Sequence, residues 1–155
     1  MNPPPVELLK INFDGAVFSE SNCSSAGVVI HNHQGLVIAS LSQKFSKAFA
    51  PLEVKALAAT QALEFAVELG IKHAILEGDS LMLILALKNG CVDLSPCDLL
   101  LDDVWYRSNF FTQLHYSHVK RKGNKVAHYL AQYVVNAPSF LVWMEDVLPQ
   151  FVFIL

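Results

Sequence analysis

Three acidic residues stand where they could do chemistry: Asp14 in "INFDGAVF", Glu53 in "APLEVKAL" and Asp79 in "AILEGDS". Ile11 and Phe13 alternate with Asn12 and Asp14, which puts the carboxylate on the opposite strand face from the apolar pair. Glu53 falls in the first turn of a helical segment, where the helix dipole favours negative charge. Asp79 closes a second strand-like segment. In open α/β sheets, sites form beyond the carboxyl ends of strands. If the strands carrying Asp14 and Asp79 are parallel neighbours, the two residues converge, and the helix leading to the second strand presents Glu53 to the same place. Carboxylates crowded together raise each other's pKa, and a hard divalent cation removes that penalty. Mg²⁺ takes oxygen ligands at about 2.0–2.1 Å and keeps several waters. Two such ions about 3.5–4 Å apart stabilise both the attacking and the leaving oxygen of a phosphoryl displacement. The chemistry indicated is phosphodiester hydrolysis by metal-activated water. Each residue also has a plainer reading: Asp14-Gly15 as a hairpin turn, Glu53 as a favourable helix-start charge, Asp79 as a helix cap.

The elements that must position these residues follow from patterning. "LLKINFDG", "SAGVVIHN" and "LVIASLSQKF" read as three strands of an antiparallel meander, with "HNHQG" as a turn. "APLEVKALAATQALEFAVELG" is rich in Ala, Leu and Glu and reads as a helix, with Pro51 in its first turn and Gly70 at its end. Leu52, Ala56, Ala59, Leu63, Ala66 and Val67 form its apolar stripe. "IKHAILEGDS" is a fourth strand. "LMLILALKNG" is a helix capped by Asp79 or Ser80 and stopped by Gly90. "CDLLLDDVWYRSN" is a further helix, "FTQLHYSHV" a last strand, "KRKGN" a basic loop, and "KVAHYLAQYVVN" a final helix. The order β-β-β-α-β-α-α-β-α predicts an α/β fold, a mixed sheet with helices on its faces.

At 155 residues the chain makes one domain, and 53% hydrophobic content with 16% charged residues argues against disorder. A net charge of −3 gives no global attraction to nucleic acid, so any such affinity must be local. Lys120, Arg121, Lys122 and Lys125 supply a local basic cluster. Its plain reading is a solvated loop, and its functional reading is phosphate contact. Cys23, Cys91 and Cys97 form no CxxC pair, which favours reduced thiols in an intracellular protein, cytoplasmic or nuclear. The N-terminus lacks the pattern of a signal peptide, and "SLMLILAL" is too short to span a bilayer, so no membrane role is expected. Residues 1–7, with three consecutive prolines, read as a linker or tail, 8–137 as the domain, and 138–155 as an apolar C-terminal extension. Neighbouring domains of a longer polyprotein are therefore candidate partners. Trp143, Phe151 and Phe153 read as core residues, or else as a docking surface for such a domain. No P-loop, dinucleotide fingerprint or Ser-His-Asp arrangement competes.

The pieces "INFDGA", "AGVVIHNHQGLV", "PLEVKALAATQALEFAVELG", "AILEGDS" and "HVKRKGNKVAHYLAQ" occur in that order from about Lys10 to Gln132. Together they resemble the type 1 ribonuclease H family, and within it the plant RNase H-like domains related to retroelement reverse transcriptases. The ending "LVWMEDVLPQFV" is similar to the tail of the plant group. The resemblance implies a ribonuclease H-like fold with a five-stranded mixed sheet, its first three strands antiparallel. It also implies a site for two Mg²⁺ ions, with Mn²⁺ as a substitute, and cleavage of the RNA strand of an RNA–DNA hybrid. By motif match, Asp14 is the bridging carboxylate, Glu53 the metal-binding helix glutamate near the RNA 2′-hydroxyl, and Asp79 the strand-end aspartate. Gly15, Ser80 and Asn124 fall where the resemblance implies contact with the nucleic acid, beside the basic cluster.

Two departures from the family pattern matter. The fourth carboxylate of the family, four residues after the loop asparagine, is His128 here. The loop histidine of the fully active bacterial-type enzymes has no counterpart in "KRKGN". Replacing a carboxylate by an imidazole, with ordinary pKa about 6.5, lowers the ligand charge and suits later transition metals better than Mg²⁺. Slower cleavage in Mg²⁺ is expected, partly restored by Mn²⁺. Two functions are carried forward: a metal-dependent hybrid ribonuclease weakened at His128, and a non-catalytic nucleic-acid-binding or interaction module that keeps the fold.

Overall fold

Alternating polar and apolar residues, with a β-branched run in "GVVI", drive the N-terminal third into strands. In the computed structural model, which describes residues 7–90, 98–133 and 140–144, these are β1 (Leu9–Phe18), β2 (Cys23–His31) and β3 (Val37–Phe45). They form an antiparallel meander. Helix α1 (Pro51–Glu68) then leads to β4 (His73–Gly78), α2 (Leu81–Asn89), α3 (Asp98–Ser108), β5 (Gln113–His118) and α4 (Lys125–Tyr133). A last strand, β6 (Phe140–Met144), pairs antiparallel with β3. The sheet order is β5-β4-β1-β2-β3-β6, and β4 is parallel to both β1 and β5.

The sheet thus has six strands among the described residues where five were expected. The sixth comes from the apolar tail. Phe140–Met144 alternates along the free edge of β3, and Trp143 packs edge-on against Tyr133 of α4. Phe151, Phe153, Cys91 and Cys97 lie outside the described residues, while Cys23 is buried and unbridged.

The two faces of the sheet are covered differently. Ile11, Phe13, Val28, Ile30, Leu41 and Leu76 point to the face covered by α1, α2 and α3, where the main core sits. Helix α1 is buried well beyond its expected stripe. Val54, Ala58, Ala62 and Phe65 are buried as well, because α1 lies between the sheet and α3. The opposite face is covered by α4, whose Ala127 and Leu130 pack with Val29 of β2. Close approach there depends on small residues. A Cβ on Gly27 would run into the Ala127 carbonyl oxygen. Ser42 donates to the Leu130 carbonyl at 2.7 Å, and Ser25 to that of Ala131. These carbonyls belong to the last turn of α4, which has no partners within the helix, so the sheet serines satisfy them.

Candidate functional site

Asp14 is neither a turn residue nor the end of its strand. β1 runs on to Phe18, in register with β2 from Lys10↔His31 to Phe18↔Cys23, and the chain reverses only at Ser19–Asn22. Asn22, not Asp14 or Gly15, takes the left-handed conformation at the reversal (φ 49°). What does end near Asp14 is the parallel pairing with β4, whose last pair is Asn12↔Glu77. Asp14 therefore projects into the space beyond the carboxyl end of β4, where Asp79 begins the turn into α2. Ser80 is the cap of that helix, accepting from the Leu83 N–H at 3.3 Å, which leaves the Asp79 carboxylate free of capping.

The side chain that joins the two aspartates is Lys55. Its Nζ lies 3.0 Å from Asp79 Oδ1 and 3.4 Å from Asp14 Oδ1. Lys55 arrives there because α1 starts hard against β1. A Cβ on Gly15 would meet the Val54 carbonyl carbon and oxygen at 2.8 Å, so only glycine admits the helix so close. Burial lowers the pKa of Lys55, but Asp14 and Asp79 outweigh burial and leave it raised, so the side chain is an ammonium throughout the neutral range. The carboxylates are almost fully buried, with side-chain exposures of 2% for Asp14 and 6% for Asp79, whereas Lys55 keeps 21%.

Both Asp14 oxygens are engaged. Oδ1 accepts from the Gly15 N–H at 2.9 Å, and Oδ2 lies 2.9 Å from His128 Nδ1. A carboxylate only accepts, so His128 holds its proton on Nδ1 in this contact. Arg121 Nε stands 3.8 Å from Asp79 Oδ2, on a side chain that is otherwise mostly in solvent. Beneath Asp14 lies a buried polar network. Asn12 Nδ2 donates to Asn124 Oδ1 (3.0 Å) and Glu77 Oε2 (3.3 Å), and Asn124 Nδ2 donates to the Phe13 carbonyl (2.9 Å). His31 Nε2 donates to Asn12 Oδ1 at 2.7 Å, and burial holds the His31 pKa below its ordinary value.

The remaining sequence-based candidates divide clearly. Glu53 does not join the aspartates. Its Oε1 accepts from the Ala50 N–H at 3.1 Å and caps the start of α1. Asn124 is buried, its amide committed to Asn12 and Phe13, so it positions the site from below. "KRKGN" is no open loop. Arg121–Asn124 is a 3-10 turn leading straight into α4, and Lys120, Arg121, Lys122 and Lys125 are exposed around it. Lys55 is the residue sequence reasoning missed. Its signal was its place as the one basic residue of α1, two residues after Glu53, and that place alone names no partner.

Do these residues suit a divalent ion? The Lys55 ammonium gives the answer. An oxygen of each aspartate already holds one positive charge, so the pair is a cradle for a single cation with oxygen donors. Mg²⁺ is commonly bound by one or two carboxylates, with water and substrate oxygens completing its shell. The fit is to one ion on Asp14 and Asp79. Among the described residues no three His, Cys, Asp or Glu side chains are arranged to hold a metal.

A family model described as reverse transcriptase-like matches residues 12–134. The chain belongs to the reverse transcriptase-like family. No curated protein matches the sequence. Solved structures similar to this family member include ribonucleases H and a foamy viral protease-reverse transcriptase. That of Halobacterium salinarum RNase H1 is 22% identical with TM-score 0.77, covering 83% of this chain and 97% of its own. The N-terminal RNase H domain of a Mycobacterium tuberculosis protein is 21% identical with TM-score 0.75, covering 84% and 95%. LC11-RNase H1, solved in complex with an RNA/DNA hybrid, is 17% identical with TM-score 0.72, covering 81% and 94%. At such identities the likeness establishes the RNase H-like fold of this reverse transcriptase-like chain.

Proposed function

We propose that the chain is a metal-dependent endoribonuclease that cuts the RNA strand of RNA–DNA hybrids. The observation that carries this reading is the meeting of Asp14 and Asp79 around one positive charge, where the parallel β1–β4 pair ends. Asp14 and Asp79 would hold Mg²⁺ or Mn²⁺. When bound, the ion supplies charge stabilisation and an activated water for phosphodiester hydrolysis. The Gly15 N–H fixes one oxygen of Asp14 and the His128 Nδ1–H the other, so the carboxylate is held in orientation before any ion arrives. A second ion would draw on Glu53, whose Oε1 now accepts from the Ala50 N–H, and on His128, which would offer a nitrogen in place of a carboxylate. Lys120, Arg121, Lys122 and Lys125 take the backbone phosphates, and Gly15 and Ser80 border the same surface. A hybrid is read there by backbone shape and 2′-hydroxyls rather than by base edges.

One observation favours the second reading, a non-catalytic nucleic-acid-binding module: Lys55 already offsets one of the cradle's two negative charges. Incubating a labelled hybrid with Mg²⁺ or Mn²⁺, beside an Asp14→Asn control, decides between them. Metal-dependent cleavage that vanishes in the control supports the nuclease. Binding without cleavage in either metal supports the module.

A further inference from the structure

The position between Asp14 and Asp79 is filled by the protein's own cation. Lys55 Nζ sits 3.4 Å from one carboxylate and 3.0 Å from the other, and a divalent ion bound by the same oxygens would occupy the same space. An ammonium and a divalent ion cannot share it, both for lack of room and because like charges a few ångströms apart repel strongly in a buried setting. We propose that Lys55 is a tethered competitor for the metal, so that loading the cradle requires the lysine to swing out and the affinity of the chain for divalent ions is set by that exchange.

The surroundings suit such an exchange. The carboxylates are buried, and Asp14 is held by the Gly15 N–H and by His128. The lysine is the exposed partner, at 21% against 2% and 6%, so its flexible stem has a route to solvent while the aspartates stay in place. Arg121 reaches only the outer oxygen of Asp79, at 3.8 Å from a side chain 74% exposed, and does not fill the gap. The inference rests on reading Asp14 and Asp79 as the metal ligands.

Mn²⁺ binding to the full chain without nucleic acid, followed by electron paramagnetic resonance of the free ion, tests it. Lys55→Met and Lys55→Gln are compared with the parent, and with Lys72→Met as a control that removes the same charge from the exposed start of the β4 segment. The expected result is Mn²⁺ affinity at least about tenfold higher in both Lys55 variants, unchanged in Lys72→Met, and lost again when Asp14→Asn is added. The Lys55 variants should also gain more thermal stability than the parent on adding Mn²⁺, a readout that registers even where the metal-free variant is destabilised. Equal binding by parent and Lys55 variants overturns the competition and leaves the nuclease reading standing. A gain matched by Lys72→Met reduces the effect to net charge and also overturns it. If neither parent nor variants bind Mn²⁺, both the competition and the metal-ligand reading of the aspartates fall.

Discussion

At the scale of single residues, His128 sets the character of the site. It gives Asp14 a hydrogen bond where a carboxylate would have added a negative ligand, so the cradle is less anionic than four acids would make it. His128→Asp is expected to raise hybrid cleavage in Mg²⁺ by about tenfold or more, a barrier change of about 1.4 kcal/mol. A variant no faster than the parent would refute the expectation that His128 slows cleavage. His31 makes a separate prediction about pH. Burial lowers its pKa below the ordinary 6.5, so the folded state resists its protonation. The unfolded chain takes up that proton more readily, so this contribution is intact above about pH 6.5 and is lost as pH falls through the lowered value. Melting temperature should therefore drop between pH 7.5 and 5.5 more steeply in the parent than in His31→Gln. At this scale Asp14 was legible in the sequence because a carboxylate among apolar strand residues asks for a partner, and Asp79 because it follows a strand-like segment, where α/β sheets place their sites. Lys55 was not. A lysine on a helix reads as solvated until the β1–β4 adjacency is known, and that adjacency is a long-range fact. The capping role of Glu53 was only half legible: its place in the first turn was plain, but the choice between the Ala50 N–H and the aspartates is geometric.

At the scale of elements, the site depends on how closely two helices approach the sheet. Gly15 admits the first turn of α1 and Gly27 admits α4, which carries His128. Gly27→Ala forces its new methyl onto the Ala127 carbonyl and the Ala131 N–H, so α4 must lift. Overpacking of this kind costs about 1–3 kcal/mol, which urea denaturation would measure, and hybrid cleavage should fall with it as His128 shifts. If Gly27→Ala loses neither stability nor activity, α4 is not seated as described. Most elements were readable because their periodicities are strong: the alternation of β1 to β3, the Ala- and Leu-rich run of α1, and Gly90 at φ 66° closing α2. The boundaries were less so. Asp14-Gly15 carries the local signature of a turn, yet the nine-pair register with β2 holds it extended, so tertiary pairing overrode local preference. The sixth strand was hidden because a short apolar tail does not state whether it will find the free edge of β3.

At the scale of the whole molecule, a net charge of −3 means that any affinity for a polyanion has to come from a local patch. Lys120, Arg121 and Lys122 lie exposed at the turn into α4, on the side where Arg121 reaches Asp79. Neutralising all three should weaken hybrid binding and flatten the slope of log affinity against log salt by about 2–3, and an unchanged slope would remove this turn from the interface. The fold class and the antiparallel start of the sheet followed from element order alone, whereas the convergence of the site required the sheet order to be known. The central claim is that Asp14 and Asp79 form one cation site at the end of the β1–β4 pair. Anomalous diffraction from crystals of the chain grown with Mn²⁺ and a hybrid tests it most directly. The account predicts an anomalous peak in direct contact with both carboxylates, with the Lys55 ammonium displaced from between them. A peak bound elsewhere, or a lysine still seated between the two aspartates at saturating Mn²⁺, would contradict it.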